Sequence, residues 1–204
     1  DGRDRLRALI GRADVVIEAS RPRALAQLGI DADAAVRTRP GLTWVSITAY
    51  GRTGPSSNRV GFGDDAAAAA GLLARDDAGT PVFCGDAIAD PVAGLVAALG
   101  AADSLVRGGG VVVDVSLAGT AAWLARPAAA PGTRHRMTEI EPGRWVVHHG
   151  ARHAPVAEPG APRPRGVAPA EGASTAAVLA ELDATTTRPP GPRPSSPRLA
   201  RRPG

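Results

Sequence analysis

The chain has 204 residues and a net charge of +4, which allows one domain of ordinary size and a tail. Its aromatic residues are three Trp, one Tyr and two Phe. The core must therefore consist of Ala, Val, Leu and Ile, which favours close-packed α/β layers over an aromatic-rich β-sandwich. The single cysteine excludes an internal disulfide, and no stretch reaches the roughly 18 apolar residues of a membrane span. A cytoplasmic protein without a membrane segment is expected.

Two helix-then-strand steps begin the chain. Apolar residues at helical spacing in residues 6–10 precede an apolar run at residues 15–17, which is typical of a buried strand. A short helix near residues 25–28, a second helix start at the potential N-cap Asp31, and a strand over residues 44–47 repeat the step. The period of about thirty residues suits α/β units that form a parallel sheet.

The next part of the chain alternates loops, helices and strands. Residues 50–61 contain the Gly, Pro, Ser and Asn of a long loop, and an Ala-rich helix is predicted from about Asp64 to Ala74. After a turn at "RDDAGT", a helix is predicted to end near Val106, "GGGVVVDVSL" predicts a buried strand, and "AGTAAWLA" begins another helix. Loops at the carboxyl ends of parallel strands are where such sheets usually bind ligands.

The composition changes after residue 125. "RPAAAPGTRHR" has the composition of a linker, "RWVVHHGARHAPVAE" predicts a hairpin around Gly150 and Ala151, and "STAAVLAELDA" predicts a short helix with Ser174 as its N-cap. From Thr185 the chain is rich in Pro and Arg without an acidic residue, and disorder is expected. Nucleic-acid binding is not expected, because the basic C-terminal third has neither interleaved aromatic residues nor a helical Arg face.

Four histidines lie close together in sequence: His135, His148, His149 and His153. Adjacent strand residues point to opposite faces, so His148 and His149 cannot easily bind one metal ion, and no cysteine is nearby. No metal site is expected. The glycines of "RGGGVVVD" precede a strand and indicate a turn, not a dinucleotide site. In "ITAYGRTGP" the glycines follow a strand, where free backbone amides could meet a ligand, although a tight turn explains them equally well.

Two aspartates precede the helix in "CGDAIADPVAGLVAALG". Aspartate is a favoured N-cap, and Asp90 followed by Pro91 is a common way to begin a helix. Alternatively, a carboxylate at a helix start, held by backbone amides, is available as a nucleophile. The residues alone leave both roles open for Asp86 and Asp90.

Several segments in the same order resemble the class III CoA-transferases, a family that includes formyl-CoA transferase, carnitine CoA-transferase and α-methylacyl-CoA racemase. They are "ADVVIEASRP", "GLTWVSITAYGRTGP", "NRVGFGDDAAAAAGLL", "GDAIADPVAGLVAALGAADSL" and "RGGGVVVDVSL", within about residues 3–124. "GVAPAEGASTAAVLAEL" is similar to the family's closing segment.

The resemblance implies an α/β fold with a Rossmann-like parallel sheet and flanking helices, incomplete at the N-terminus. It implies four regions. These are a large-domain portion at 1–124, a linker and β-hairpin remnant of the small domain at 125–157, a C-terminal return segment with a short helix at 158–184, and a disordered tail at 185–204.

The resemblance also implies a reaction, in which CoA moves from an acyl-CoA donor to a carboxylic acid acceptor through an aspartyl-linked covalent intermediate. Alignment on Gly94 places the family's nucleophile at Asp90 and leaves Asp86 in the turn. CoA and acyl-CoA are then substrates, and no tightly bound cofactor is expected.

The same resemblance places four residues along the bound CoA. Arg21 in "SRP" is suited to its phosphates, and Tyr50, Gly51 and Gly54 belong to the "AYGRTGP" loop.

Departures from the family pattern define the alternatives. Where racemases of the family carry a catalytic His, this chain has Phe62, which disfavours an acyl-CoA racemase or isomerase. The family's "ENFRPG" is "EASRPR" here, and the usual first strand and most of the small domain are missing. A fragment or shortened enzyme is therefore one expectation, and a non-catalytic, partner-dependent half is the other. Either would form a homodimer or pair with a complete homologous subunit.

Overall fold

The computed structural model describes residues 2–76, 78–126, 136–157, 160 and 166–186. The chain divides into two compact units, one formed by residues 1–125 with 174–204 and the other by residues 126–173. The four regional boundaries drawn from the sequence stay a prediction.

The first unit alternates helices and strands along most of its length. Its described helices are α1 (Gly2–Ile10), α2 (Pro22–Gln27), α3 (Ala32–Thr38), α4 (Gly63–Ala69), α5 (Ala89–Val106), α6 (Leu117–Leu124) and α7 (Thr175–Thr186). Its described strands are β1 (Val15–Glu18), β2 (Thr43–Thr48), β3 (Leu73–Arg75), β4 (Pro81–Phe83) and β5 (Val111–Ser116).

A parallel sheet with the strand order β1-β2-β5 forms the centre of this unit. In its register Val16 lies beside Trp44, and Trp44 lies beside Val112. Because β2 has a neighbour on each side and helices on both faces, nearly all of its residues are buried, the hydroxyl residues Thr43, Ser46 and Thr48 included. The predicted α/β class with a helix-flanked parallel sheet is confirmed.

Alternate residues of the strands supply the two halves of the core. Trp44 and Leu42 pack with Ile30 and Val36 from the α2–α3 side. On the opposite face, the valines and isoleucine of the strands meet the small side chains of α4, α5 and α6, which allow close approach of helix to sheet. The residues in this second cluster include Val45, Ala66, Ala67, Ala89, Ala93, Ala97, Val115 and Ala121.

The predicted helix from Asp64 to Ala74 is too long. Gly71 has a φ of +79°, its N–H donates to the Ala68 carbonyl, and the Leu72 N–H donates to the Ala67 carbonyl. These two bonds end the helix as a Schellman motif, in which glycine takes the left-handed position without steric cost. Leu73 and Ala74 instead pair with β4 in a short antiparallel hairpin.

The helix that carries Asp90 begins earlier than the Asp90–Pro91 pair predicts. Ile88 is the N-cap residue, and Asp90 is the second residue inside α5. The preceding turn runs directly into the helix, since the Asp90 N–H donates to the Ala87 carbonyl at 2.9 Å. Asp90 is therefore not the cap, and its side chain is left for another role.

By length and composition alone, α5 could cross a membrane, so the expectation that no stretch meets this criterion is wrong. The expectation failed because the Ala and Gly residues that lie between Asp90 and Asp103 of α5 also count as apolar in this criterion. In this structure α5 packs Ala89, Ala93 and Ala97 into the core.

The second unit is an antiparallel sheet of β6 (Arg136–Glu141), β7 (Arg144–His149) and β8 (Arg152–Pro155). The predicted hairpin is confirmed as β7–β8, whereas the "RMTEIE" strand was not predicted. His148 lies opposite His153, with 6.1 Å between the ring centroids. In the described part of the chain no group of three or more metal-binding side chains occurs. His135, most of the predicted linker and the tail beyond residue 186 lie outside the described residues.

Candidate active site

A cleft of about 540 Å³ lies at the carboxyl ends of β1 and β2. Residues 19–21 after β1, residues 47–49 at the end of β2 and residues 59–62 of the next loop line it, together with Asp90 and Leu117. Because parallel strands carry their ligand-binding loops at this edge, the cleft lies where a ligand site is expected. The structure thus brings Arg21 and Asp90, two of the predicted site residues, to one cleft.

Asp90 presents its carboxylate to the cleft from the first turn of α5. Its side chain is exposed, and within the described part of the chain no group donates a hydrogen bond to the carboxylate. Asp90 lies in the first turn of α5, at the positive end of the helix dipole, which favours a negative charge there. A carboxylate that is accessible and not hydrogen-bonded retains its lone pairs for attack on an electrophile.

The turn before Asp90 is held by the start of α4. Asp64 Oδ1 accepts a hydrogen bond of 2.8 Å from the Ala87 N–H, and Ala87 has a φ of +45°. Gly63 is buried against the same turn: a Cβ placed on it would lie 2.5 Å from Asp90 Oδ2 and 2.6 Å from the Ala87 carbonyl oxygen. The α4 start therefore contacts both the backbone that precedes Asp90 and the Asp90 carboxylate itself.

Two guanidinium groups line the cleft with Asp90. Arg21 follows β1, and Arg59 lies 4.9 Å from the centroid of the Tyr50 ring, over its face. Within the residues that the structure describes, neither guanidinium pairs with a carboxylate. Because arginine remains charged and presents several donors to phosphate or carboxylate oxygens, both side chains are suited to hold an anionic ligand.

The three loop residues predicted to contact CoA have different surroundings. Tyr50 is stacked under Arg59, and the Gly51 N–H donates to Oγ1 of Thr48, a cleft residue, at 2.9 Å. Gly54 has a φ of +85° and open space around it, and it does not line the cleft. Tyr50 and Gly51 thus support cleft residues, while Gly54 lies further out on the loop.

Arg52 anchors this loop to the rest of the unit. Its guanidinium forms an ion pair of 3.0 Å with Asp33 at the start of α3. The backbone N–H of Arg52 donates a hydrogen bond to Oδ2 of Asp114 on β5. The hydrogen bond from Arg52 lowers the pKa of Asp33, and the same bond raises the pKa of Arg52. The loop that carries Tyr50 and Arg59 is consequently tied to two other elements.

Sequence reasoning missed Arg59, Gly63 and Asp64 as site residues. All three lie in "NRVGFGDD", where Asp64 was predicted only as a helix start and Arg59 and Gly63 only supported the resemblance. A glycine followed by two acidic residues after a loop arginine is a weak local signal, because the same pattern starts many helices. Their connection with Asp90 is set by tertiary packing.

The comparisons with known proteins agree with this architecture. The model of CoA-transferase family III matches residues 1–156. Since this match covers most of the chain, the chain belongs to CoA-transferase family III.

Individual CoA-transferases and a solved structure of the family are also similar to this chain. An acyl-CoA transferase of Fusarium pseudograminearum is 35% identical over 155 residues, covering 73% of this chain and 33% of that protein. The alpha subunit of succinyl-CoA–L-malate CoA-transferase of Chloroflexus aurantiacus is 34% identical over 116 residues, covering 53% and 27%. The crystal structure of a CaiB/BaiF family protein from Brucella suis has a TM-score of 0.59 at 25% identity, covering 72% and 44%. The chain thus spans about a third of the length of these curated relatives.

Proposed function

We propose that this chain transfers CoA from an acyl-CoA donor to a carboxylic acid acceptor, with Asp90 as the nucleophile. The observation that carries the proposal is the exposed Asp90 carboxylate in a cleft with two unpaired arginines. Membership of CoA-transferase family III supports the reaction class.

In the proposed mechanism the Asp90 carboxylate attacks the thioester carbonyl carbon of the donor. The C–S bond breaks, the CoA thiolate leaves, and an acyl-aspartyl anhydride forms. The thiolate then attacks the Asp90 carbonyl carbon, which releases the donor carboxylate and leaves an aspartyl-CoA thioester. The acceptor carboxylate attacks this thioester, CoA leaves, and its thiolate returns to the acceptor carbonyl carbon, which regenerates Asp90.

The other cleft residues have binding roles in this proposal. Arg21 and Arg59 attract the phosphates of CoA, while Ile47 and Leu117 provide apolar surface beside the reacting thioester. Excluding water there is necessary, because both covalent intermediates are open to hydrolysis. Tyr50 holds Arg59 through its ring face, and Gly51 and Gly54 let the loop follow the ligand.

Racemase or isomerase chemistry is less compatible with this cleft. Exchange of an α-proton needs an acid and a base on either side of the carbon. Phe62 lies in the cleft with Asp90, and none of the described residues that line it is a histidine. The cleft therefore supplies one carboxylate and no imidazole.

A subunit partner is also part of the proposal. The outer faces of α5 and α6 expose large apolar side chains: Leu95 and Leu99 are each 72% exposed, and Trp123 is 63% exposed. Apolar surface of this kind marks an interaction site. The relative from Chloroflexus is named as one subunit of its enzyme, which supports pairing with a second copy or a complete homologous subunit.

Trapping the covalent intermediate tests the proposal. The full chain is incubated with a series of acyl-CoA donors, with succinyl-CoA among them, and then with hydroxylamine. Hydroxylamine attacks the activated aspartyl carbonyl and leaves a hydroxamate, which mass spectrometry locates. We expect the adduct on Asp90 alone, and its complete loss in Asp90→Ala.

Asp86→Ala is the matched control, because Asp86 is an exposed aspartate in the same turn and does not line the cleft. It should form the adduct as the wild type does. Absence of an adduct with every donor, together with a stable complex with a homologous subunit, would establish the non-catalytic alternative.

A further inference from the structure

We propose that Asp64 and Gly63, at the start of α4, are positioning residues that set the orientation of the Asp90 carboxylate. This inference rests on the proposed role of Asp90. The inference concerns how the nucleophile is held in place. Neither Asp64 nor Gly63 is proposed to contact the substrate.

The backbone before Asp90 needs an external support. Ala87 lies in the left-handed region at a φ of +45°, where a residue with a Cβ is strained and persists only when its surroundings hold it. The support is the 2.8 Å hydrogen bond from the Ala87 N–H to Asp64 Oδ1, which reaches across 23 residues of sequence. Asp64 therefore holds Ala87 in a conformation that alanine does not favour by itself.

The strained turn is coupled directly to Asp90. The Ala87 carbonyl accepts the Asp90 N–H at 2.9 Å, so rotation of the Ala87 peptide would change the first turn of α5. Gly63 leaves room for the carboxylate on its other side, since a Cβ at position 63 would lie 2.5 Å from Asp90 Oδ2. The carboxylate can occupy its position because Gly63 has no side chain, and the backbone that carries it is fixed by Asp64.

This arrangement predicts an effect on the chemical step and not on binding. Arg21 follows β1, and the loop that carries Arg59 is held by Arg52 through Asp33 and Asp114, so loss of the Asp64 bond leaves both arginines in place. A displacement of the nucleophile by about 1 Å can lower a reaction rate by about 10²-fold. Asp64 is thus expected to influence kcat much more than KM.

The test compares Asp64→Ala with Asp64→Asn in the full chain. Asp64→Ala removes the acceptor, and we expect the rate of Asp90 acylation to fall at least about tenfold while KM for acyl-CoA changes by less than about twofold. Asp64→Asn keeps an amide oxygen that can accept the Ala87 N–H, and it should retain most of the activity. In the Asp64→Ala background, Ala87→Gly should restore part of the rate, because glycine takes a positive φ without strain. Asp86→Ala is the control.

Hydrogen exchange provides a second readout that is independent of activity. In Asp64→Ala, the amides of Ala87 and Asp90 should exchange at least about tenfold faster than in the wild type, while the amides of β2 keep their rates. A wild-type chain that forms no adduct on Asp90 would disprove the proposed function and leave this exchange experiment to decide the inference. Wild-type acylation in Asp64→Ala, or unchanged exchange at Asp90, would overturn the inference and leave the proposed function intact.

Discussion

At the scale of single residues, the absence of a side chain can matter as much as a reactive group. Asp90 has an accessible carboxylate because its nearest neighbour on α4 is a glycine. Gly63 and Gly94 are both helical glycines, yet a Cβ on Gly94 would meet no atom within 4 Å. Substituting alanine at each of the two positions therefore distinguishes the steric effect of a new Cβ from the effect of removing a glycine from a helix.

Gly63→Ala is predicted to displace the Asp90 carboxylate and to lower the rate of hydroxylamine-trapped adduct formation by about 10²-fold, because the added Cβ would overlap Asp90 Oδ2 and the Ala87 carbonyl. Gly94→Ala should leave that rate unchanged and increase thermal stability slightly, since alanine is favoured over glycine inside a helix. Equal adduct rates in the two variants would contradict the steric argument.

The Asp33–Arg52 ion pair leads to a prediction about pH. Arg52 holds the pKa of Asp33 below its ordinary value of 3.8, so the folded state binds this proton more weakly than the unfolded state. The resulting stabilisation is fully present above pH 3.8 and is lost as the pH falls through the lowered pKa. Because the Asp33 side chain is more than half exposed, solvent screening keeps the gain to about 0.5 kcal/mol.

Asp33→Asn should therefore destabilise the protein at pH 6 and have little effect at pH 3, as measured by urea denaturation at both values. Titration of the Asp33 carboxyl by NMR is the direct check: in Arg52→Met its pKa should return toward the ordinary value. A variant that is equally destabilising at pH 6 and pH 3 would show that the ion pair is not responsible.

At the scale of elements, β2 carries two contrasting buried hydroxyl groups. Thr43 Oγ1 lies 2.7 Å from Ser104 Oγ of α5, so each hydroxyl has a partner. Ser46 Oγ is buried and has no hydrogen-bond partner among the described residues. A buried hydroxyl without a partner loses its hydrogen bonds to water and gains nothing in return.

Ser46→Ala is accordingly predicted to raise the free energy of unfolding by about 1 kcal/mol, because it removes an unsatisfied polar group. Ser104→Ala should lower it by about 1–2 kcal/mol, since it leaves the Thr43 hydroxyl unpaired. Both changes replace a buried serine by alanine, and chemical denaturation measures both. A loss of stability in Ser46→Ala would indicate that its hydroxyl has a partner after all.

The elements also show what the sequence can and cannot predict. The three strands of the parallel sheet were predictable because each contains several β-branched or aromatic apolar residues, and Asp31 was predictable as a cap: its side chain accepts the N–H groups of Asp33 and Ala34. The predicted end of α4 was too late because the prediction continued past Gly71, whose left-handed conformation ends the helix. Residue patterns are least informative where packing overrides local preference.

The candidate site was predictable to a similar extent. The resemblance selected Asp90 and Arg21, which line the same cleft, although their roles remain predictions. The support from Asp64 was not predictable, because a positive φ at Ala87 has no sequence signature and arises from a contact 23 residues away. Arg59 was not distinguishable from the many other arginines of the chain until its position over Tyr50 was known.

At the scale of the whole molecule, the outer face of α5 and α6 is the surface on which we expect the chain to associate with another subunit. Leu99 and Trp123 line a shallow groove of about 510 Å³ between the two helices, and Leu95 lies one turn before Leu99. The buried alanines of α5, Ala89, Ala93 and Ala97, face the core, whereas the stripe of Leu95 and Leu99 has no covering element among the described residues. Burying a leucine fully contributes about 1.5–3 kcal/mol, so association on this face would depend strongly on each one.

Leu99→Glu is therefore predicted to weaken subunit association by at least tenfold, since a loss of about 1.4 kcal/mol corresponds to a factor of ten in Kd and the new charge must also be desolvated. The wild-type chain should show a concentration-dependent mass above that of the monomer in light scattering after size exclusion. Gln27→Glu, which adds the same charge on an exposed position of α2, should associate as the wild type does. Equal masses for wild type and Leu99→Glu at every concentration would show that this face does not bind a subunit, because an interface centred on Leu99 cannot accept an unpaired carboxylate without loss.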